Sequence, residues 1–465
     1  MLNIEKQNKN PNPSSENIPK TIKLNATRKK DDIKPDNEKL QNANNVESES
    51  IYTDPKNYIR VKTDHFFIGH RVLANKTKVI DLIPWKTTTI KSDFGSNGHR
   101  FREIKKYVNF VNVPDNTETY QREILNCYNL YDPPKYLPVY GNFETTINFL
   151  THLFRDKLDL VLDYLSIIYK IPSQNLPVIC IVSKTQETGK TTFLKWLNEI
   201  YGNNSIILGN EDFQNKFNSH YASKLIIGID ESFIEKKIIK EKLKRLTTDD
   251  KIQLEAKGKD QIKIDFIGKF ILLSNNENNF MEMTDEDNRF FVVNAPPIQI
   301  KDPNILEKLK NEIPAFLYFL NTREIINPKT RRLWFDPKLY ETEAMKKVIV
   351  STRSRVEKGL ITLLSGLFGY DETIQEIKIT PVALSEQLEK QLKGFNGLQI
   401  EIEKTLKESW NLKPEHLQKF NYPIEDRTIE PDENGKMVAN YTITWIRRTG
   451  TPYTITRDFI NNREN

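Results

Sequence analysis

The chain has only two cysteines in 465 residues, Cys127 and Cys180. Two thiols exclude a four-cysteine zinc site, and with no disulfide framework a reduced, cytosolic protein fits best. Cys180 lies inside an apolar run, where a plain core role is expected. Histidine is scarce too, with six in all. The nearest pair, His65 and His70 in HFFIGH, lacks the His-apolar-His spacing of a nicking relaxase. Both read as structural, His70 at a turn. No stretch approaches the roughly 18 uninterrupted apolar residues of a membrane span. The Asn- and Lys-rich start has no apolar signal-peptide core. The expected location is therefore cytoplasmic, with no membrane partner. Charge of one sign is not in large excess either: a net charge of +6 and a pI near 8.8 permit a nucleic-acid partner without requiring one.

What is present begins with LPVICIVSKTQETGKTTFLKWL, from Leu176 to Leu197. Val178 to Val182 suit a strand buried on both faces, and Phe193, Leu194 and Leu197 recur at helical spacing. The loop between them sits at a helix N-terminus, where unpaired amides and the helix dipole favour phosphate. Gly189 lets the backbone approach, Lys190 can reach outer phosphates, and the Thr191 hydroxyl can bind magnesium. Thr188 to Thr192 are the candidate nucleotide contacts. The usual GxxxxGK[ST] pattern has glycine where Lys184 stands, a departure without explanation in the sequence. The plain alternative is an ordinary strand-turn-helix.

The rest of the chain divides by composition. Residues 1–50 are too poor in apolar side chains to cover a core and read as a disordered tail. Residues 51–138 alternate apolar and polar positions and read as a small mixed module of unreadable role. Residues 139–170 carry Ile147, Leu150, Phe154, Leu158, Val161 and Leu165 at three- and four-residue steps, a helical collar or lid. Residues 171–300 alternate short apolar strands with helical segments, an α/β layer structure with a mostly parallel sheet. A helical region over 301–370 includes 305–320 and a second helix broken near Ser354. In 371–465, two helices and YTITWIRRTGTPYTITRDF, read as a basic hairpin turning at Thr449 and Gly450, give a winged-helix-like grammar. A small accessory domain with a surface hairpin is the other reading.

Downstream of the TGKTT loop come three further signals in order. KLIIGIDES ends a buried strand in Asp230 and Glu231, which can hold magnesium and polarise an attacking water respectively. GKFILLSNN ends another in Asn275, able to sense the γ-phosphate. TDEDNRFFVV offers Arg289, either as a finger acting on a neighbouring subunit or in a local salt bridge to Asp285, Glu286 or Asp287. Between the first two lies a hairpin with Lys257 and Lys259 at its tip and Lys251 and Lys263 on its arms. These lysines can track a nucleic-acid backbone or merely solvate an exposed turn.

Taken together, TGKTT, IIGIDE, the KGKD hairpin, ILLSNN and NRFFV resemble superfamily 3 helicases, more closely the helicase portion of phage and mobile-element primase-helicases. The resemblance covers about Tyr107 to Val293. It implies an AAA+ type ATPase core using ATP and Mg2+, and assembly into a ring, commonly a hexamer. It also implies translocation on single-stranded or forked DNA during replication. Lys190, Asp230, Glu231, Asn275 and Arg289 would be catalytic, with Thr191 and Asp230 on the metal. No zinc-type or acidic priming motif is found, so a separate primase or polymerase would be a partner. The competing functions are an origin-binding module with RRTG at its hairpin, and a nucleotide-gated interference switch that never unwinds DNA.

Overall fold

The computed structural model describes residues 51–72, 78–215, 218–230, 237–254, 262–284, 286–389, 392, 397–431 and 437–464; the expected tail lies outside them. Four strands, β1 (Tyr58–Val61), β2 (Asp64–Val72), β3 (Lys78–Pro84) and β4 (Lys105–Tyr107), form a sheet of order β3-β2-β1-β4 with helix α1 (Thr87–Phe94). Alternation sorts its apolar residues to two sides: Tyr58 and Phe67 pack with Ile90 and Phe94, while Ile59 and Phe66 pack with Tyr107 and Tyr128. His70 is not at a turn. It sits within β2 opposite Ile80, because the strand pairing continues through HFFIGH. His65 meets the Thr87 hydroxyl at 3.1 Å, and burial lowers its pKa. Three short strands follow, β5 (Phe110–Val111), β6 (Glu123–Ile124) and β7 (Cys127–Asn129).

The helical stretch is two helices, α2 (Glu144–Phe154) and α3 (Leu158–Lys170), broken where Arg155 takes a φ of +48°. Next come β8 (Val178–Val182), α4 (Lys190–Tyr201), β9 (Ser205–Leu208), α5 (Asn210–Gln214), β10 (Ile226–Ile229) and α6 (Lys237–Thr248). A hairpin of β11 (Lys251–Leu254) and β12 (Ile262–Asp265) precedes β13 (Lys269–Ser274) and β14 (Phe290–Asn294). Strands β8, β9, β10, β13 and β14 form one sheet of order β14-β8-β13-β10-β9, parallel throughout. Every residue of β8 is buried, as a strand covered on both faces requires. Ile179 and Ile181 join the core under α2, α3, α4 and α7 (Ile305–Thr322). Val178, Cys180 and Val182 join the opposite core with Leu243 of α6 and Val348. Cys180 is fully buried, and burial raises its thiol pKa, in keeping with a core role.

Beyond lie α8 (Glu343–Thr352) and α9 (Arg355–Tyr370), parted at Ser354, whose hydroxyl accepts the Glu357 amide and caps the second. The C-terminal part runs β15 (Glu376–Ile379), α10 (Pro381–Leu388), α11 (Leu398–Lys404), β16 (Gln418–Pro431), β17 (Met437–Gly450), β18 (Tyr453–Thr456) and α12 (Arg457–Glu464). The hairpin expected around Thr449 and Gly450 is not there. Gly450 pairs with Gln418 in β16, and β18 pairs with β15 instead. The long strand β17 instead runs antiparallel to β16 out to the pair Pro431 and Met437; the Asn434-Gly435 dipeptide, a stronger hairpin signal than Thr449-Gly450, lies outside the described residues. No helix among the described residues is long and apolar enough to cross a membrane.

Two buried charges tie the layers together. Asp163 on α3 is fully buried; it accepts from Arg323 Nε at 3.2 Å and from the Asn327 backbone and side-chain amides at 2.8 Å each. Removing one partner of a buried pair typically costs about 3–5 kcal/mol, so Asp163→Ala should lower unfolding stability by roughly that amount in urea titration. Lys269 at the start of β13 donates to the carbonyls of Pro172 and Ile267, and burial brings its pKa down to about 7. Above that pH the unfolded chain binds the extra proton, so stability should rise with pH from about 7 toward the ordinary lysine value. The urea midpoint of Lys269→Met should rise less over the same range.

Candidate functional site

Because the sheet is parallel, its strands all release their chains at one edge. Leu272 of β13 pairs with Cys180 of β8 and with Ile229 of β10, and Ser274 pairs with Val182. The segments after Val182, Ile229 and Ser274 therefore meet. They enclose a cavity of about 400 Å³ lined by residues 186–192, Asp230 and residues 273–275, a volume within the range of small-ligand sites.

The loop from Ser183 to Gly189 is tied at both ends. The Ser183 amide donates to the Ser274 carbonyl at 3.1 Å, and the Ser183 hydroxyl to the Thr185 carbonyl at 2.6 Å. Positive φ falls on Glu187 (+56°) and Gly189 (+89°) and not on Lys184. Lys184 is exposed and takes no conformation that needs glycine, which explains why a lysine is tolerated there. Gly189 caps α4, and a Cβ on it would stand 3.0 Å from Phe149 of α2.

Lys190 folds back over this loop. Its ammonium donates to the hydroxyls of Ser183 and, at 3.2 Å, Thr188. Only 6% of Lys190 is exposed. Burial pushes its pKa down, and the Asp230 carboxylate works the other way. An anion in the cavity would relieve that burial cost. The Thr191 hydroxyl donates to Asp230 Oδ2 at 3.3 Å, bringing together the two oxygens expected to share a magnesium ion. Thr192 also lines the cavity, and exposed Asn275 stands at the end of the strand between the other two. This donor set of ammonium, loop amides, hydroxyl and carboxylate fits a phosphate chain with a hard divalent cation.

Other expected residues lie elsewhere. Arg289 precedes β14, and its carbonyl accepts from the Val178 amide at 2.8 Å. Its backbone is thus at the opposite end of the sheet from the phosphate-type loop, the two being separated by the length of β8, roughly 16 Å for five residues. Its acidic neighbour Asp287 is 1% exposed and is held by Lys240, at 2.7 Å, and Lys244. Burial alone would raise the Asp287 pKa, but hydrogen bonds from these two lysines outweigh it and hold it low. Lys251 and Lys263 share one exposed face of the β11–β12 hairpin, Ile252 and Ile264 being buried on the other. Lys251 lies 3.9 Å from Asp265. Glu231, Lys257, Lys259 and Asp285 lie outside the described residues.

Ser183 and His152 escaped the sequence reading. Ser183 carried a signal, being the first polar residue after the apolar strand. His152 of α2, whose Nε2 is 3.3 Å from the Thr188 carbonyl, had none, since a histidine on an amphipathic helix reads as solvated.

Residues 181–289 match a family described as of unknown function (DUF5906). Among individual proteins, the chain is 24% identical over 268 residues to the DNA primase-polymerase of Nitratiruptor phage NrS-1. That match covers 54% of this chain but 36% of the relative, so the matched chain spans about a third of the relative's length. The apo structure of the NrS-1 C-terminal region aligns over 78% of this chain and 87% of its own, with a TM-score of 0.51 and 18% identity. A further apo form covers 81% and 93%, with a TM-score of 0.54 and 17% identity. At such identity these structures establish a shared fold.

Gly189→Ala would force an L side chain into left-handed backbone against Phe149. It should cost about 1–2 kcal/mol of stability, measurable as a lowered urea midpoint.

Proposed function

We propose that this chain is an ATP-dependent DNA helicase of superfamily 3 type, with an AAA+ type phosphate-loop core, acting as a ring in replication of a phage or mobile element. The observation that carries the reading is the meeting of Lys190, the Thr191–Asp230 pair at 3.3 Å and Asn275 at one sheet edge. Similarity to a phage primase-polymerase supports a place in phage DNA replication. The C-terminal order helix, strand, helix, helix and long hairpin, from α9 to β17, supports a winged-helix reading of that part.

In this mechanism the loop amides and Lys190 would cradle the β- and γ-phosphates of ATP, and Thr191 with Asp230 would hold Mg2+. The chemistry a bound cation would supply there is withdrawal of charge from the phosphate oxygens. Glu231 accepts the proton of the attacking water, and Asn275 orients that water. The backbone of Arg289 enters the sheet at the end away from the loop. Its place at the opposite edge suits it to stabilise charge in a neighbouring subunit's site, so that hydrolysis depends on ring assembly. Lys251, Lys257, Lys259 and Lys263 would hold the DNA backbone on a hairpin linked, through β12 and β13, to the strand bearing Asn275. A separate primase or polymerase would supply priming.

ATP hydrolysis with and without single-stranded DNA, paired with strand displacement on a forked duplex, tests this. DNA should stimulate turnover, and duplex should be displaced only with ATP. Lys190→Ala should cut hydrolysis by about a hundredfold or more, and Glu231→Gln should do likewise while still binding ATP. Hydrolysis that DNA neither stimulates nor couples to unwinding would sink the helicase reading and leave a nucleotide-gated switch.

A further inference from the structure

The long C-terminal hairpin presents two unlike faces. Inward, Phe420 and Tyr422 are 5% and 1% exposed, and Arg448, opposite Phe420 in register, makes a two-pronged ion pair with Glu386 (3.1 and 2.6 Å) while its guanidinium lies over the Tyr422 ring. That arginine is spent on holding the hairpin to α10. One residue earlier the chain turns to the other face, and the chemistry changes. Trp445 is 50% exposed, an unusual state for the side chain with the largest apolar surface. Arg447 follows two residues on, so the same face carries it about 7 Å along the strand. Asn421 and Lys419 stand opposite Arg447 and Thr449 in register, and both are exposed. Among the described residues no carboxylate pairs with Arg447 or Lys419. The one carboxylate in the described part of this face, Glu425, accepts a hydrogen bond from the Tyr370 hydroxyl at 2.9 Å.

An exposed indole followed along one face by an amide and two cations that have no carboxylate partner among the described residues matches one ligand chemistry: flat aromatic bases strung on a polyanion. A protein partner would be offered a small apolar patch in a field of positive charge. A duplex hides its base faces within its own stack, whereas a single strand exposes them. We propose that the outer face of the β16–β17 hairpin binds single-stranded nucleic acid, with a base stacked on Trp445 and the flanking phosphates held by Arg447 and Lys419. This site is separate from the lysine-bearing β11–β12 hairpin of the core and needs no nucleotide hydrolysis.

The test uses the whole chain without ATP and a short fluorescein-labelled oligothymidylate, read by anisotropy. Stacking on one aromatic accounts for a large factor in single-strand affinity, so Trp445→Ala should weaken binding about tenfold or more, and Trp445→Phe should retain most of it. Arg447→Ala should lower the slope of log affinity against log salt by about 0.7, the value for one single-strand phosphate contact. Photocrosslinking with 5-bromodeoxyuridine should mark the peptide that contains Trp445, a local readout that contacts made by the core hairpin do not move. Unchanged affinity in Trp445→Ala, or crosslinks confined to other peptides, would overturn the proposal. So would preference of this face for duplex, or loss of self-association in Trp445→Ala by sedimentation velocity, which would make it a contact between copies.

Discussion

Everything at the candidate site depends on the parallel pairing of β13 between β8 and β10. Leu272 meets Cys180 on one side and Ile229 on the other. Antiparallel insertion of this one strand would send Asn275 to the far edge and leave the loop and Asp230 without it. Parallel strands must be covered on both faces, because the helices that return the chain pack there. The burial of every residue of β8 and β13 is therefore the same constraint seen from the side. It also explains the position of Arg289: its backbone enters β14 where the others leave, so one direction of chain separates it from the loop by the length of a strand.

The second constraint is the cover over the loop. Lys190 can stay buried because the hydroxyl oxygens of Ser183 and Thr188 accept hydrogen bonds from its ammonium, and Thr188 is itself held near His152 of α2. Phe149 and Leu153 of the same helix come against Gly189. The segment before the core thus shapes the loop rather than merely flanking it. Helix α3 is tied by Asp163 to Arg323 beyond α7, and the start of α2 is held to α7 by Glu312, which accepts from the amides of Thr145 and Thr146 and from the Thr146 hydroxyl. The cost of burying such charges is offset only when each finds its partners, which makes these layers sensitive to single substitutions.

The apolar strands, the Gly189 turn, the α4 helix and the acidic strand end were legible because each is written locally, in five to ten consecutive residues. The break at Ser354 was legible for the same reason, a capping hydroxyl at a helix start. The hairpin at Thr449 and Gly450 was misread because strand alternation does not name the pairing partner. YTITWIRR alternates equally well against TITRDF and against β16, and pairing with β16 gives Phe420 and Tyr422 a core to enter. His70 was misplaced by a nearby glycine, although Gly69 lies inside a continuous strand.

The sequence by itself determined the order of the chemical groups: loop, acidic pair, asparagine, arginine, each closing or opening an apolar segment. It also placed a glycine at residue 189, ahead of Lys190 at the start of the helix, the one loop position that the fold then gives both a positive φ and a crowded Cβ. Tertiary structure alone decided which groups meet. Strand order is set by which apolar faces stack into the two cores, and no local signal encodes it. That is why Asn275 stands between the loop and Asp230, why Lys184 needs no glycine, and why Arg447 faces outward beside Trp445 while Arg448, its immediate neighbour, is held inward by Glu386.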